Sequence, residues 1–408
     1  MVTKLREERV VFILIGFIFI IMLAYNFSIQ KVNFGDDSAF LQQFTHRYHS
    51  NYFEFLKFRY NNWTSRLVIE TFLVYSVKHL FIWKILNAIA MSAVAIVPTF
   101  LFKTSNKIKG IIVGLGMSLL IPENVINGAG WVATTVNYTW VMAAALISIL
   151  PVMNYLKKKG GAKYNWKYFA LSYPFLIYAT NQEQMVVILF FFFIVSIGIA
   201  YLNKKNIFLL LPHLAITIAS LIFALTAKGN AIRNIKETQR WLPAFSDYSI
   251  LHKMQLGYTS TLKNLFLDWS PLMLMFILLI FSVWLNQNKS LIKKIISGIP
   301  LLAYIVCMRF APIINQKVHI SSGQTYWSLI VILTLLIFIY LIGIFGASNN
   351  FQDFILVTFI LSLAVGSHLM MGFSPTIWAS GPRTFYFTDI LIMIAGVYLV
   401  SRSHETKY

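Results

Sequence analysis

Acidic side chains are scarce in this chain: 14 Asp and Glu stand against 34 Lys and Arg in 408 residues. Charge of either sign is thin, at 12% of residues, about half of what a soluble globular domain carries. Cysteine is nearly absent. The single Cys307 excludes an intrachain disulfide and any metal site built on cysteines, and in its apolar run it reads as a small buried hydrophobe. No P-loop, Gly-x-Gly-x-x-Gly fingerprint, His-Glu-x-x-His motif or metal-spaced Cys/His set occurs. His46, His49, His79, His213, His252, His319 and His368 lack ligand spacing and read as packing or interfacial residues.

What is abundant is apolar. Hydrophobic residues make up 58% of the chain and the mean hydropathy is +0.69. Runs of about 20 apolar residues recur, each able to cross a hydrocarbon core about 30 Å thick. The fold class is therefore all-α, a polytopic helical membrane protein. A β-barrel would need alternation of period two, which a run such as 185–200 lacks. The net charge of +20 sits in short clusters between apolar runs: Lys4/Arg6/Arg9, Lys103/Lys107/Lys109, Lys157 to Lys159 with Lys163 and Lys167, Lys204/Lys205, and Lys289/Lys293/Lys294. That is the positive-inside pattern, suited to anionic membrane lipid. It argues against nucleic acid as a partner. The first apolar run, 10–29, is longer than a signal-peptide core and no small-residue cleavage site follows, so it reads as a retained span.

With the first basic cluster in the cytoplasm, crossings are expected at 10–29, 81–102, 111–121, 138–156, 168–179, 185–202, 207–227, 272–285, 295–311, 326–345, 354–371 and 384–400. The count is about twelve transmembrane helices with both termini cytoplasmic. The whole chain, 1–408, reads as one integral membrane domain. Residues 30–80 form an outer loop with interfacial helices, and 228–270 a second large outer loop. No internal repeat or duplicated half is evident.

The span ends were placed by basic clusters alone, so the positions of other polar residues are separate information. Asp36 and Asp37, Arg66, Glu123 with Asn124, Glu183, Lys228, Arg233 and Arg383 all fall on or near the outer face. The adjacent acids, in Asn-Phe-Gly-Asp-Asp-Ser at 33–38, raise one another's pKa and suit a general base with a carboxylate partner. The alternative is a solvated turn at a helix end. Glu123 and Glu183 need cationic partners at that depth, which Arg66, Lys228, Arg233 or Arg383 would supply, as substrate-binding groups or as structural ion pairs. Arg383 follows Gly381 and Pro382, which fix its direction for bidentate phosphate capture, although a snorkelling arginine would look the same. Lys228 and Arg233 form a second phosphate candidate, and Trp131 is the aromatic most suited to stack on a sugar. Glu70 and Asp268 read as interfacial surface.

A first span ending in an outer Gly-Asp-Asp, an amphipathic outer stretch reaching Trp63-Thr64-Ser65-Arg66, and some ten further spans together resemble the GT-C superfamily of multi-span glycosyltransferases. The look is similar to bacterial enzymes that add side-chain sugars to O-antigen, teichoic acid or other cell-wall polysaccharides. The resemblance covers the architecture of most of the chain, with the short acidic motif as its one specific element. It implies a polyprenyl-phosphate sugar donor and a glycan or glycopolymer acceptor. It also implies an outward-facing site in the bacterial cytoplasmic membrane, with an acid of the first outer loop, by position Asp36 or Asp37, as catalytic base. Arg383 and Lys228 fit the lipid phosphate by location. A polyprenyl-phosphate sugar synthase and a flippase of the same pathway would be functional partners. No soluble C-terminal domain is evident, which argues against a peptide acceptor. No cofactor is called for, and a divalent metal is optional.

Two other readings share these features. A flippase or transporter for a lipid-linked oligosaccharide would place charge at span centres, which here are nearly free of it. A polysaccharide polymerase would also work outside, and the basic segment 228–270 suits one.

Overall fold

The computed structural model describes residues 2–32, 34–104, 106–158, 166–287, 289–317 and 324–402. Lys159, Lys163, His319 and the side chains of Lys4 and Arg6, all used above, lie outside the described residues. Among the described residues every regular element is helical, and the one β feature is an isolated bridge between Gly128 and Gly130.

Eight helices among the described residues are long and apolar enough to cross a membrane. Two bent helix pairs, Leu211–Thr226 with Lys228–Trp241 and Ile250–Phe266 with Pro271–Leu285, raise the number to ten if each is one crossing. That is fewer than the twelve expected. Most of the segment 111–121 falls in Lys107–Leu119, a helix of 13 residues, which at 1.5 Å per residue reaches about 20 Å. The segment 168–179 is broken by a turn into Trp166–Ala170 and Tyr173–Thr180, with Pro174 starting the second piece because its ring suits a first helical turn and not an interior one. The outer loop expected at 228–270 is mostly helical, in Lys228–Trp241 and Ile250–Phe266. The first is rich in Lys, Arg, Glu and Gln and free of proline, and Pro243 follows it.

Backbone contacts sort the chain into two compact units. The first comprises Met1–Lys103, Pro122–Arg240 and Gly381–Phe387. In it, Leu80–Leu101 packs against both Val2–Ser28 and the Trp131–Lys157 helix. Buried polar side chains tie these helices together. The Asn87 carboxamide donates to Asn26 Oδ1 at 2.7 Å, the Trp140 indole donates to Asn87 Oδ1 at 3.1 Å, and the Trp83 indole donates to Thr135 Oγ1 at 3.0 Å. Such bonds join helices where lipid tails leave no hydrophobic drive to association.

The Trp131–Lys157 helix is held at both ends by charge from elsewhere. At its C-terminal end the Lys205 ammonium donates to the carbonyls of Tyr155, Leu156 and Lys158 at 2.9, 2.7 and 2.7 Å. These oxygens have no partner inside the helix and carry the negative end of its dipole. Its N-terminal end is held by Asp37.

The stretch after the first span is helical in Asp36–Gln42, Tyr52–Asn62 and Leu67–Lys78. Phe44, Phe55 and Val74 form its core. Glu70 is not the surface residue expected. It is buried, and Arg59 donates to both its oxygens, at 2.6 and 2.5 Å, because a buried carboxylate requires a paired charge.

The second unit comprises Thr104–Ile121, Trp241–Ser380 and Thr388–Tyr408. Lys289 and Lys293 both donate to the Ser348 carbonyl just past the Trp327–Ala347 helix. Asp353 accepts from the Tyr398 hydroxyl at 2.5 Å and from Arg402 at 2.7 Å. Asp268, expected at the surface, pairs with Lys263 at 2.7 Å. His368 is buried against Thr261 at 2.9 Å, as His213 in the first unit is against Ser172.

Candidate functional site

Asp36 and Asp37 open the helix Asp36–Gln42, and successive residues on that first turn point in different directions. Asp36 is exposed, and its backbone N–H donates to the Ala129 carbonyl at 2.7 Å. Asp37 is fully buried. Its carboxylate accepts the N–H of Val132 at 3.1 Å and of Ala133 at 2.6 Å. These are orphan donors in the first turn of the Trp131–Lys157 helix, so Asp37 does the work of an N-cap from 95 residues away. Burial pushes its pKa up to about 7, against the downward pull of the two N–H bonds, with the neighbouring Asp36 charge adding to the rise. The sequence reading put both acids in the role of base and partner. The structure separates them: one faces solvent, the other is enclosed.

The fit at Asp37 requires a glycine opposite. Gly130 has φ +121°, and a Cβ there would lie 2.6 Å from Asp37 Cγ. Only a residue without a side chain lets the carboxylate reach the helix end.

One turn along that helix, Asn137 lies in a π-helical turn, Thr135–Thr139, of the kind that often re-aims a side chain. Its carboxamide N–H donates to Ala133 O at 2.8 Å, and its oxygen accepts from Arg66 Nη1 at 3.1 Å. Arg66 also grips Glu183, donating from Nε at 2.5 Å and from Nη2 to the same carboxylate oxygen. Arg233 approaches the other oxygen at 3.5 Å. Two guanidinium groups thus share one carboxylate, and a positive charge is left over. The side chains of Arg66, Glu183 and Arg233 are 21%, 21% and 29% exposed, so the surplus is reachable from solvent.

Neighbouring residues fix this cluster. Asn230 accepts the Ser65 N–H at 3.2 Å and donates to the Ser65 hydroxyl at 3.0 Å. Gly229 lets the Lys228–Trp241 helix approach the turn before Arg66, since a Cβ there would lie 2.5 Å from Thr64 N.

Arg383 is half-buried beside Gly128, its Cβ 3.7 Å from where a side chain on that glycine would begin. No described residue pairs with its guanidinium. The following residue, Thr384, accepts at its carbonyl from Gln184 Nε2 at 3.2 Å. A closed circuit results. Asp36 is bonded to Ala129, Gly128 next to it faces Arg383 across the space a Cβ would fill, Thr384 binds Gln184, and Glu183 binds Arg66. Arg66 binds Asn137, and Asn137 returns through Ala133 to Asp37. Of the eight residues predicted outside the acid pair, four join it. Arg66, Glu183, Arg233 and Arg383 do; Lys228 is exposed and outside it.

Glu123, Asn124 and Trp131 also stand apart. Glu123 and Asn124 are exposed, and Glu123 accepts from Asn127 at 2.9 Å. Trp131 is buried, with its ring edge-on to Tyr25 at 6.2 Å. Glu123 and Trp131 line a separate cleft with Lys31 and Lys84.

Asn137 and Gln184 were not among the residues expected from the sequence, nor was Glu237, which is buried on Lys228–Trp241 two turns from Gly229 with no partner among the described residues. Carboxamides at span ends were the available signal. Among the described residues no three His, Cys, Asp or Glu are grouped to hold a metal ion. Comparison with protein-family models, with curated proteins and with solved structures returns no match.

Proposed function

We propose that this chain is a membrane glycosyltransferase that moves a sugar from a polyprenyl-phosphate donor to a hydroxyl of a cell-surface glycan or glycopolymer. The observation that carries the reading is the circuit joining an exposed acid, Asp36, to an unpaired guanidinium, Arg383, and to the surplus charge of Arg66 and Arg233. The acceptor hydroxyl attacks the anomeric carbon while Asp36 takes its proton. The bond from that carbon to the phosphate oxygen breaks, and polyprenyl phosphate leaves with one more negative charge. The guanidinium groups stabilise that charge, which grows only as the bond breaks, so their help falls on the transition state. Asp37 positions Asp36 by anchoring the turn between them to the helix end.

The proposal includes a side of the membrane, for which the basic clusters are the support. Both termini are taken as cytoplasmic in this reading, because the basic clusters follow the positive-inside pattern. The circuit then opens outward in a bacterial cytoplasmic membrane, where a sugar carried on a lipid is the available donor. A synthase and a flippase would supply it.

A polymerase is the second reading, favoured by the run of Lys228, Arg233, Lys236 and Arg240 along one outer helix. Purified protein in liposomes separates the two. The proposal expects hexose transfer from synthetic polyprenyl-phosphate hexoses. Extension of a pyrophosphate-linked repeat unit would favour the polymerase, and lipid translocation without either reaction a flippase.

A further inference from the structure

The cleft apart from the circuit has a volume of about 790 Å³, within the range of sites that enclose a small ligand. It lies where the Glu7–Ser28 span ends and the Leu80–Leu101 span begins, which is headgroup depth for a bilayer around those helices. Phe27 and Phe81 form its apolar wall, edge to face at 5.7 Å and 43% and 66% exposed. Lys31, Lys84 and Glu123 are its charged groups, and together they leave one net positive charge.

Lys84 is the fifth residue of an apolar span, and its ammonium explains the placement. It donates to the carbonyls of Ile29 at 3.0 Å and Phe27 at 3.4 Å, the unpaired oxygens at the end of the first span. An ammonium has three N–H donors, and these two bonds leave one for a ligand. Lys31 is exposed and has no bond to another described residue. Glu123 commits one oxygen to Asn127 and keeps the other free to accept.

We propose that this cleft binds phosphatidylglycerol, with the lipid phosphate between Lys31 and Lys84, a glycerol hydroxyl donating to Glu123 and an acyl chain along Phe27 and Phe81. The lipid's single negative charge matches the single positive charge of the lining. Phosphatidylethanolamine carries no net charge, and phosphatidylcholine offers no donor to the carboxylate. The bound lipid bridges the end of the first span, the start of the second and the 123–127 turn. None of the circuit residues lines this cleft, so the inference stands whether or not the transferase reading does.

Native mass spectrometry of the full chain, equilibrated with equal amounts of phosphatidylglycerol, phosphatidylethanolamine and phosphatidylcholine, tests it. One phosphatidylglycerol should be retained in preference to the other two. Lys31→Gln should lower that preference about fivefold, the worth of one basic residue at an anionic surface. Lys84→Gln should lower it as much and Lys84→Arg should keep it. Lys57→Gln, an exposed lysine of the same outer stretch, should change nothing. Should Lys84→Gln fail to fold, Lys31→Gln decides alone, because that side chain supports no other. Equal retention of the three lipids, a Lys31→Gln variant that binds like the wild type, or displacement by an equimolar polyprenyl phosphate would overturn the proposal.

Discussion

The cap at Asp37 makes a quantitative prediction. Its carboxyl is fully enclosed, and burial places its pKa at about 7 rather than the usual 3.8. When the segment opens, the group returns to water and to its ordinary value. The closed form therefore holds the proton more tightly than the open one. The extra stability is complete below about pH 4, declines as the pH rises, and is gone above about 7. A gap of about three pH units corresponds to about 4 kcal/mol. Hydrogen exchange of residues 131–136, corrected for the chemical exchange rate at each pH, reads the opening free energy directly. It should fall by about that amount between pH 4 and 7 in the wild type. Asp37→Asn keeps an acceptor for one of the two N–H groups but cannot titrate, so its profile should be flat. A wild-type profile that is flat or rises with pH would show that the bonds from Val132 and Ala133 outweigh burial, and the reasoning would be refuted.

Other perturbations follow from the same geometry. Glu183→Gln leaves Arg66 and Arg233 without a counter-charge; removing one partner of a fully buried pair costs about 3–5 kcal/mol, and partial exposure reduces this to about 2. Thermal unfolding of the solubilised protein should show that loss, with Arg233→Gln alone costing under about 1 kcal/mol because its contact is long and exposed. Gly130→Ala forces a side chain into a left-handed residue against Asp37. It should destabilise by about 2–3 kcal/mol and speed exchange at Val132 and Ala133. Lys205→Gln should cost about 1 kcal/mol, seen as faster exchange at the helix end near Leu156, and Lys205→Arg should restore protection.

Much of the fold was legible because hydropathy reports directly on burial in lipid. The span from Glu7 to Ser28 and the three between Trp327 and Arg402 lie close to where apolar runs put them. The two shortest segments, 111–121 and 168–179, are where hydropathy says least, since an apolar run of 11 or 12 residues does not distinguish a crossing from a short packed helix. The helix at 228–241 was hidden by its polarity, which reads as loop when period and propensity are given less weight than hydropathy. At the site, charge scarcity picked out Arg66, Glu183 and Arg233 because few partners were available to each. It could not separate Asp36 from Asp37, because which of two adjacent acids is enclosed depends on where residues 129–133 arrive, and those are far away in sequence. Asn137 was silent for the same reason: its role exists only once Arg66 is beside it.

The most direct test of the account compares the wild type with Asp36→Asn in liposomes that hold a polyprenyl-phosphate hexose and a glycan acceptor, reading the product by mass spectrometry. Asp36 is exposed and its side chain supports no other residue, so the variant should insert and show wild-type exchange protection at 131–136. A glycosylated acceptor is expected with the wild type and none with the variant. A correctly inserted Asp36→Asn protein that transfers sugar at the wild-type rate would contradict it.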